Sequence, residues 1–178
     1  MMNEPPSNVK YNFLFFYGYR PQIPGVLDNS CLSQWYPCLF NQDGRFFTSA
    51  EQYMMAKKAQ YFGDSNMYRK ILCAVHPAAT KKYGRMVKGF NDAEWRKINK
   101  NIIFDANLLK FSQNDNLKEF LLNTGDTILV EASPYDRIYG IGLSINDPKI
   151  YDPACWRGTN LLGQMLMRVR DRLNTRRG

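Results

Sequence analysis

The segment from Asn91 to Gln113, NDAEWRKINKNIIFDANLLKFSQ, constrains the fold of this chain more than any other stretch. Large and small apolar residues recur in it at helical intervals: Trp95, Ile98, Ile102, Ala106 and Leu109. Asn91 followed three residues later by Glu94 has the spacing of a helix N-terminus. We therefore predict a long helix whose apolar stripe packs against other elements.

Shorter patterns fill the rest of the chain. Helices are predicted at residues 48–62, 64–74, 78–83, 114–125 and 160–173, and strands at residues 12–19, 127–132 and 137–143. A hairpin is expected around residues 41–44, where Asp-Gly supplies the turn. These elements predict an α+β fold, predominantly helical, with a few short antiparallel strands. No GxGxxG or GxxxxGK[ST] pattern occurs, which argues against Rossmann and P-loop folds.

The chain divides into a flexible N-terminal arm at residues 1–11, one domain at residues 12–174 and a basic tail at residues 175–178. No apolar run approaches the roughly 18 to 20 residues of a membrane span, and the N-terminus lacks a secretory signal pattern. We therefore expect an intracellular protein, cytoplasmic or, in a eukaryote, nuclear, without a membrane partner. The four cysteines lack zinc-site spacing, so we expect reduced packing residues and no metal.

The formal net charge of +8 favours anionic partners such as nucleic acid, nucleotides or phosphorylated metabolites. The lysines and arginines are spread along the chain, however, so an ordinary solvated surface explains them equally well. His76, the only histidine, precedes a proline at a predicted helix end. A mechanism built on a Ser-His-Asp or Cys-His arrangement is therefore not expected.

The predicted helix at TSAEQYMMAKKAQYF carries two charged residues among its apolar ones. Glu51 and Lys58 share a face with Met54, Met55 and Phe62, whereas Gln52, Tyr53, Lys57 and Gln60 fall on the opposite face. Glu51 also has the capping-box spacing from Thr48, so it is either a helix cap or an acid/base group.

Lys58 has two possible roles on that face. A lysine there either extends its amine to the edge of the apolar surface or is buried, and burial favours the neutral, nucleophilic amine. Its side chain leans toward the helix N-terminus, in the direction of Glu51. Lys57, on the opposite face, is the built-in control for any chemistry assigned to Lys58.

Aromatic residues are the next candidates for binding. Trp35, Tyr36, Trp95, Tyr139 and Trp156 either pack in the core or stack on a heterocyclic base. Gly140, directly after Tyr139, suggests close approach of a backbone or a ligand.

The segment PACWRGTNLLG places Trp156, Arg157 and Asn160 just before a predicted helix. Arginine beside a helix N-terminus favours phosphate, although Asn160 is equally an ordinary N-cap. Asp136 forms a salt bridge with Arg137, closes a turn, or acts as a second acid or base, and Glu131 is a further carboxylate of interest. Two carboxylates are usual in glycosidic chemistry.

Taken in order, these residues resemble the NADAR, or YbiA-like, N-glycosidase family from about residue 12 to about residue 173. The matching motifs are LSQWYP (32–37), DGRFFTSAEQYMMAKKA (43–59), GRMVKGF with EWRKI (84–98), LLKFSQN with LLNTGD (108–126), VEASPYDRIYGIGL (130–143) and WRGTNLLGQMLMRVR (156–170). The resemblance implies a YbiA-like fold and hydrolysis of a C–N bond between ribose C1 and an amino group on a base.

The resemblance also assigns residues. The family's glutamate falls on Glu51 and its lysine on Lys58, while its W-G-I-G-L tryptophan is replaced by Tyr139 and its E-H-Y histidine by Gln52. Arg85, in the matching GRMVKGF motif, joins the aromatic and loop residues named above as a substrate-binding residue. Neither a metal nor a cofactor is implied.

Three functions follow as expectations. The first is removal of ADP-ribose from the guanine amino group of DNA, RNA or guanosine, and the second is the same chemistry on phosphorylated ribosylamino-pyrimidine intermediates of riboflavin synthesis. The third, of a different class, is a non-catalytic module that binds ADP-ribose or nucleic acid. For the enzymes, either Lys58 forms a Schiff base with the sugar or a carboxylate activates water without a covalent step.

Overall fold

A computed structural model describes residues 11–175 of the chain. The predicted N-terminal arm and basic tail therefore lie outside the described residues, except for Tyr11 and Thr175. No helix within the described range combines the length and the apolar character needed to cross a bilayer.

Six α-helices and four short strands form the described part of the domain. The helices are α1 Ala50–Tyr61, α2 Ser65–Leu72, α3 Pro77–Arg85, α4 Asp92–Ser112, α5 Asp115–Asn123 and α6 Leu161–Asn174. The strands are β1 Phe13–Phe16, β2 Phe40–Gln42, β3 Arg45–Phe47 and β4 Ile128–Glu131, and short 3₁₀ helices span Asn29–Leu32, Pro148–Tyr151 and Pro153–Cys155. The prediction of a predominantly helical α+β domain is confirmed.

The long helix α4 packs against α1, α5 and α6. Its predicted N-cap is confirmed, because Asn91 Oδ1 accepts a hydrogen bond of 3.0 Å from the Glu94 N–H. Ile103 and Ala106 of this helix are fully buried, and Trp95 is nearly so. The buried face therefore includes Trp95 and Ala106 of the predicted stripe but is rotated from it, since Ile98, Ile102 and Leu109 are only half-buried.

The strands form two separate two-stranded sheets. β2 and β3 make the predicted antiparallel hairpin, in which Asp43 and Gly44 both adopt positive φ at the turn (51° and 81°). β1 and β4 pair in parallel instead, with Phe13 opposite Ile128. The expectation of antiparallel strands therefore holds for the hairpin only.

The predicted strand at residues 137–143 is wrong, because this segment is an irregular loop. The carbonyls of Ile138 and Tyr139 accept hydrogen bonds of 3.1 Å from the N–H groups of Leu161 and Leu162 in helix α6. These donors are orphan groups of the first helical turn. The loop thus caps α6, and the Ile141 N–H ties it to the end of β4 by donating a hydrogen bond of 3.0 Å to the Glu131 carbonyl.

The capping-box prediction for α1 is also wrong by one residue. The N-cap is Ser49, whose Oγ accepts a hydrogen bond of 3.1 Å from the Gln52 N–H. The Gln52 side-chain oxygen in turn accepts a hydrogen bond of 2.8 Å from the Thr48 N–H. The pair Ser49 and Gln52 therefore satisfies the helix start, and Glu51 is left free of that role.

Helix α1 is buried on more faces than its sequence pattern predicts. Gln52 and Tyr53, expected on the polar face, are both only 2% exposed. The Gln52 amide donates hydrogen bonds to the carbonyls of Ile71 and Leu72 at the end of α2, and Tyr53 packs on the ring of Phe47. Contacts from α2 and the hairpin thus bury side chains that an isolated helix would expose.

All four cysteines are free thiols. Cys31 is buried in the main core, as expected of a packing residue, whereas Cys73 is exposed.

Candidate active site

Glu51 is the second residue of α1 and is almost completely buried, with 4% exposure. Its N–H donates a hydrogen bond of 2.9 Å to the Gln34 carbonyl, which ties the helix start to the segment that carries Trp35. Burial raises the pKa of the Glu51 carboxyl to about 7; Asp136 adds to this effect, while Lys81, Lys58 and Arg85 oppose it. Glu51 is therefore close to half-ionised near neutral pH and can both take up and release a proton.

Lys58 lies two turns further along α1 and is partly buried. Its Nζ donates a hydrogen bond of 2.9 Å to the Gly84 carbonyl and sits 3.9 Å from the centre of the Phe90 ring and 5.9 Å from that of Trp95. Burial lowers the pKa of this amine, and the Glu51 charge works in the opposite direction. The amine is thus held between two aromatic rings within the electrostatic reach of Glu51.

Lys57 occupies a different environment, as its place on the helix predicted. Its Nζ lies 5.2 Å from the centre of the Tyr53 ring. Its charge lowers the pKa of Asp105 on α4 against the larger effect of burial. It has no corresponding influence on Glu51. Lys57 is consequently a matched control for Lys58 on the same helix.

Helix α3 brings two more cations to Glu51. Lys81 and Arg85 are one helical turn apart on α3, and both favour the ionised form of Glu51. Gly84 permits this approach, because a Cβ at that position would lie 2.0 Å from the sulfur of Met55 on α1. The Lys81 Nζ also sits 5.2 Å from the centre of the Trp35 ring. Trp35, Lys81 and Arg85 therefore belong to one cluster of residues around Glu51, and we call the region that this cluster borders the crevice.

Two further carboxyl groups, those of Asp136 and Glu131, lie within electrostatic reach of one another and of Glu51. Asp136 Oδ1 accepts hydrogen bonds of 2.8 and 2.7 Å from the N–H groups of Ile138 and Tyr139, so this residue closes its loop as well as facing the crevice. Burial raises the pKa of Glu131, the last residue of β4, to about 8; Asp136 and Glu51 add to the shift and Lys81 opposes it. The Asp136 charge thus raises the pKa of both Glu51 and Glu131, and the Glu51 charge raises that of Glu131.

Trp95 and Tyr139 meet at the wall of this crevice. Trp95 is 6% exposed, and its side chain and that of Asn99 lie within hydrogen-bonding reach of the Tyr139 hydroxyl. Burial raises the pKa of Tyr139 to about 12, so its hydroxyl stays protonated at neutral pH. The two rings and the hydroxyl form a fixed, partly polar surface beside Glu51.

The sequence of this chain matches the NADAR domain model over residues 15–174, which is most of its length. The chain belongs to the NADAR domain family. A protein named N-glycosidase R617 from Acanthamoeba polyphaga mimivirus is 42% identical over 164 residues, which cover 89% of this chain and 95% of that protein.

A second relative and a solved structure are also similar to this NADAR protein. Riboflavin biosynthesis protein VVA0006 from Vibrio vulnificus is 32% identical over 167 residues, which cover 94% of this chain and 40% of that protein. The solved structure of YbiA from E. coli superposes with a TM-score of 0.73 at 22% identity, covering 95% of this chain and 91% of that one, so the YbiA-like fold is confirmed. The relatives named N-glycosidase support a general N-glycosidase role.

Several predicted binding residues of the NADAR protein lie outside the Glu51 crevice. Tyr36 faces a separate buried lysine, Lys110, whose Nζ is 5.6 Å from the ring centre. Trp156 packs on Phe13 and donates a hydrogen bond of 2.8 Å from Nε1 to the Ile150 carbonyl, in a smaller hydrophobic cluster. Both rings are engaged in packing, so their assignment to substrate binding stays a prediction.

The residues at the start of α6 make hydrogen bonds to β4 and to the 137–143 loop that the sequence does not predict. Asn160 uses Oδ1 to accept a hydrogen bond of 3.0 Å from the Glu131 N–H and Nδ2 to donate one of 2.9 Å to the Leu129 carbonyl. Its amide therefore holds β4 in place and with it the Glu131 side chain. Because Leu161 and Leu162 donate to the 137–143 loop, those two helix-start donors are not open to a phosphate. Arg157 is exposed and lies outside the charges that act on Glu51.

Gly140 has a packing reason for lacking a side chain. A Cβ there would lie 2.9 Å from the Glu131 carbonyl oxygen and 3.1 Å from that of Asp136. The close backbone approach expected at this glycine is therefore made by the end of β4 and the loop itself. This close backbone packing places Asp136 and Tyr139 near Glu131.

Two residues of the crevice were missed as site residues. Lys81 belongs to a run of basic residues that is typical of a solvated surface. Its spacing of one helical turn from Arg85 indicates that the two side chains lie on the same face of the helix. Asn99 sits one turn after Trp95 on the predicted helix, which places both on one face. Neither signal distinguishes a site from ordinary helix surface.

Two cavities lie near this crevice without being lined by Glu51 or Lys58. One of about 80 Å³ is bordered by Trp35, Ser49 and Thr80 among others, and one of about 420 Å³ lies between the end of α2 and α3. Within residues 11–175, no group of three or more His, Cys, Asp and Glu side chains is placed to hold a metal ion. The expectation of a metal-free and cofactor-free reaction stays a prediction.

Proposed function

We propose that this NADAR protein is an N-glycosidase that hydrolyses the bond between ribose C1 and an exocyclic amino group, and that it removes ADP-ribose from the guanine amino group of nucleotides or nucleic acid. The observation that carries the proposal is the state of Glu51. This carboxyl is buried, released from helix capping by Ser49 and Gln52, and tuned to a pKa of about 7. A group so tuned is suited to general acid/base chemistry at neutral pH.

The surroundings of Glu51 support an ADP-ribosyl substrate. Lys81, Arg85 and Lys58 supply positive charge within electrostatic reach of the Glu51 carboxyl, and such charge favours binding of a diphosphate. Trp35 and Tyr139 supply ring faces for a heterocyclic base. The Tyr139 hydroxyl is a neutral hydrogen-bond donor beside them, since its pKa is raised to about 12.

Two chemical routes remain open at this site. In the first, the C1–N bond opens to an imine, Lys58 exchanges into it with release of the amino base, and water clears the resulting Schiff base. The lowered pKa of Lys58 supports this route. In the second, a carboxylate activates water for attack on an oxocarbenium-like C1. The Gly84 and Phe90 contacts of Lys58 favour a charged, non-nucleophilic amine and support this second route.

The activity is tested by release of free ADP-ribose from ADP-ribosylated guanosine. Glu51→Gln keeps the shape of the side chain and removes its proton transfer, so we expect kcat to fall by about 10²–10⁴ with KM changed only a few-fold. Glu119→Gln, an exposed glutamate on α5, is the control and should leave kcat unchanged. No release by the wild-type protein, or equal release by Glu51→Gln, would defeat the proposal.

Borohydride trapping during turnover separates the two routes. The covalent route predicts a reduced sugar adduct on Lys58 that appears in the wild type and in Lys57→Ala and is lost in Lys58→Ala. Absence of an adduct at Lys58 in an actively turning-over sample eliminates the Schiff base. The measurement is mass spectrometry of the peptide that contains both lysines.

Similarity to the riboflavin biosynthesis protein of Vibrio vulnificus supports a second candidate substrate, a phosphorylated ribosylamino-pyrimidine. The same assay with both substrates ranks them by kcat/KM. The third alternative, a module that only binds ADP-ribose or nucleic acid, predicts binding by the wild-type protein without any release of ADP-ribose. Retained ADP-ribose binding together with lost turnover in Glu51→Gln rejects it.

A further inference from the structure

The sequence marks Glu131 as a carboxylate of interest without giving it a role, and the structure buries one of its carboxyl oxygens. It is the last residue of β4, where side chains alternate between two faces. Leu129 packs in the main core and Val130 in the smaller hydrophobic cluster, so Glu131 projects on the side of the main core, as Leu129 does. On that side the Glu51 charge acts on the Glu131 carboxyl.

The backbone of Glu131 is held on both sides. Its N–H donates a hydrogen bond of 3.0 Å to Asn160 Oδ1, and its carbonyl accepts one of 3.0 Å from the Ile141 N–H. β4 itself pairs with β1 through to Phe16. The Glu131 carboxyl is therefore mounted on rigid backbone, as a group that must meet a substrate atom requires.

The Glu131 carboxyl has an unsatisfied oxygen. Oε2 is buried and has no hydrogen-bond partner among the described residues, although the residue as a whole keeps partial solvent exposure. The charged groups that face it are Glu51 from α1, Asp136 from the 132–140 loop and Lys81 from α3. Two neighbouring carboxyls and one ammonium do not compensate a buried carboxylate oxygen without a donor, so the neutral acid is the favoured form.

We propose that Glu131 is the acid that protonates the departing amino group. This inference rests on the proposed N-glycosidase function. The Glu131 proton passes to the exocyclic nitrogen as the C1–N bond breaks, and the bonding electrons stay on the nitrogen, so the base leaves as a neutral amine. Water then adds to C1 and gives its proton to the Glu51 carboxylate, and transfer of that proton from Glu51 to Glu131 restores the starting state.

The test compares two leaving groups over a range of pH. The first substrate is ADP-ribosylated guanosine, and the second is ADP-ribose joined at C1 to 4-nitrophenol in the same anomeric configuration, whose phenolate leaves without a proton. We expect wild-type kcat with the first substrate to fall above a pH of about 8, as Glu131 ionises. With the nitrophenyl substrate this fall should be absent.

Glu131→Gln provides the second arm. We expect kcat to fall by about 10²-fold or more on ADP-ribosylated guanosine and by less than about fivefold on the nitrophenyl substrate, with no high-pH fall remaining. Glu131→Gln activity equal to wild type on both substrates overturns the inference and leaves the proposed function standing. A wild type that hydrolyses neither substrate defeats both.

The pH profiles of wild-type kcat with the two substrates test the inference even if Glu131→Gln does not fold. An identical high-pH fall for the two leaving groups then overturns the inference, because an acid that protonates the leaving group cannot matter where no proton is needed. A melting curve and ADP-ribose binding measured for the variant separate loss of fold from loss of chemistry.

Discussion

At the scale of single residues, ionisation of Glu51 opposes folding. Its pKa is raised from 4.5 to about 7 in the folded chain, so between these pH values the native state holds a proton that the unfolded state has lost. The free energy of unfolding therefore falls as pH rises through this window and levels off above it. The difference corresponds to about 3 kcal/mol at most.

Glu51→Gln removes this penalty without changing the shape of the side chain. We expect the variant to be more stable than wild type by up to about 3 kcal/mol at pH 8 and nearly equal to it at pH 4, where the wild-type carboxyl is neutral in both states. Urea unfolding at the two pH values measures this. Glu119→Gln should show no such dependence, and equal effects of Glu51→Gln at both pH values would contradict the assigned burial.

The same residue shows how far sequence reasoning reaches. The helical pattern placed Glu51 and Lys58 on one face, and the structure keeps both beside the crevice. It did not single out Lys81, which lies on another helix and approaches only because Gly84 lets α3 contact α1. Periodicity describes one element at a time, whereas a site is assembled by contacts between elements.

At the scale of elements, the start of α1 decides whether Glu51 can act. Residues 48 to 52 contain two overlapping capping patterns, Thr48 with Glu51 and Ser49 with Gln52, and both fit the same sequence rule. The second is realised because the Gln52 amide group also donates to the carbonyls at the end of α2. That tertiary contact cannot be read from the local sequence, and it is what releases the Glu51 carboxyl.

The 137–143 loop illustrates the converse case. Its alternation of apolar residues and glycines is typical of a strand, yet two of its carbonyls accept hydrogen bonds from the first turn of α6. These two carbonyls therefore cap helix α6 instead of pairing with a neighbouring strand. This exchange holds Tyr139 and Asp136 against Glu131, so the element that sequence reasoning mispredicts is one that builds the site.

At the scale of the whole molecule, the parallel pair of β1 and β4 joins the first described strand of the domain to its last. Phe13 pairs with Ile128, and Gly163 of α6 packs so closely on β4 that a Cβ would lie 2.1 Å from the Leu129 carbonyl oxygen. Each strand is recognisable from its own composition. Their partnership and direction are not, because no local signal specifies a pairing between residues so distant in the chain.

The net charge of +8 is a property of the whole chain and makes a prediction about substrate size. Lys82 and Lys88 are exposed near the Arg85 end of α3, so they can contact the phosphates of a nucleic-acid strand bound there. Each phosphate contact releases a counterion, so affinity for a polyanion falls steeply with salt. For an ADP-ribosylated oligonucleotide we expect kcat/KM to fall more than about tenfold between 50 and 200 mM salt.

For ADP-ribosylated guanosine the same change in salt should lower kcat/KM by less than about threefold, because few phosphates are contacted. The double variant Lys82→Glu and Lys88→Glu should flatten the salt dependence of the oligonucleotide alone. Lys149→Glu, an exposed lysine beside the smaller hydrophobic cluster, should leave it unchanged. Equal salt dependence for both substrates would mean that the positive charge serves the ADP-ribose diphosphate only, and a free nucleotide would then be the better substrate assignment.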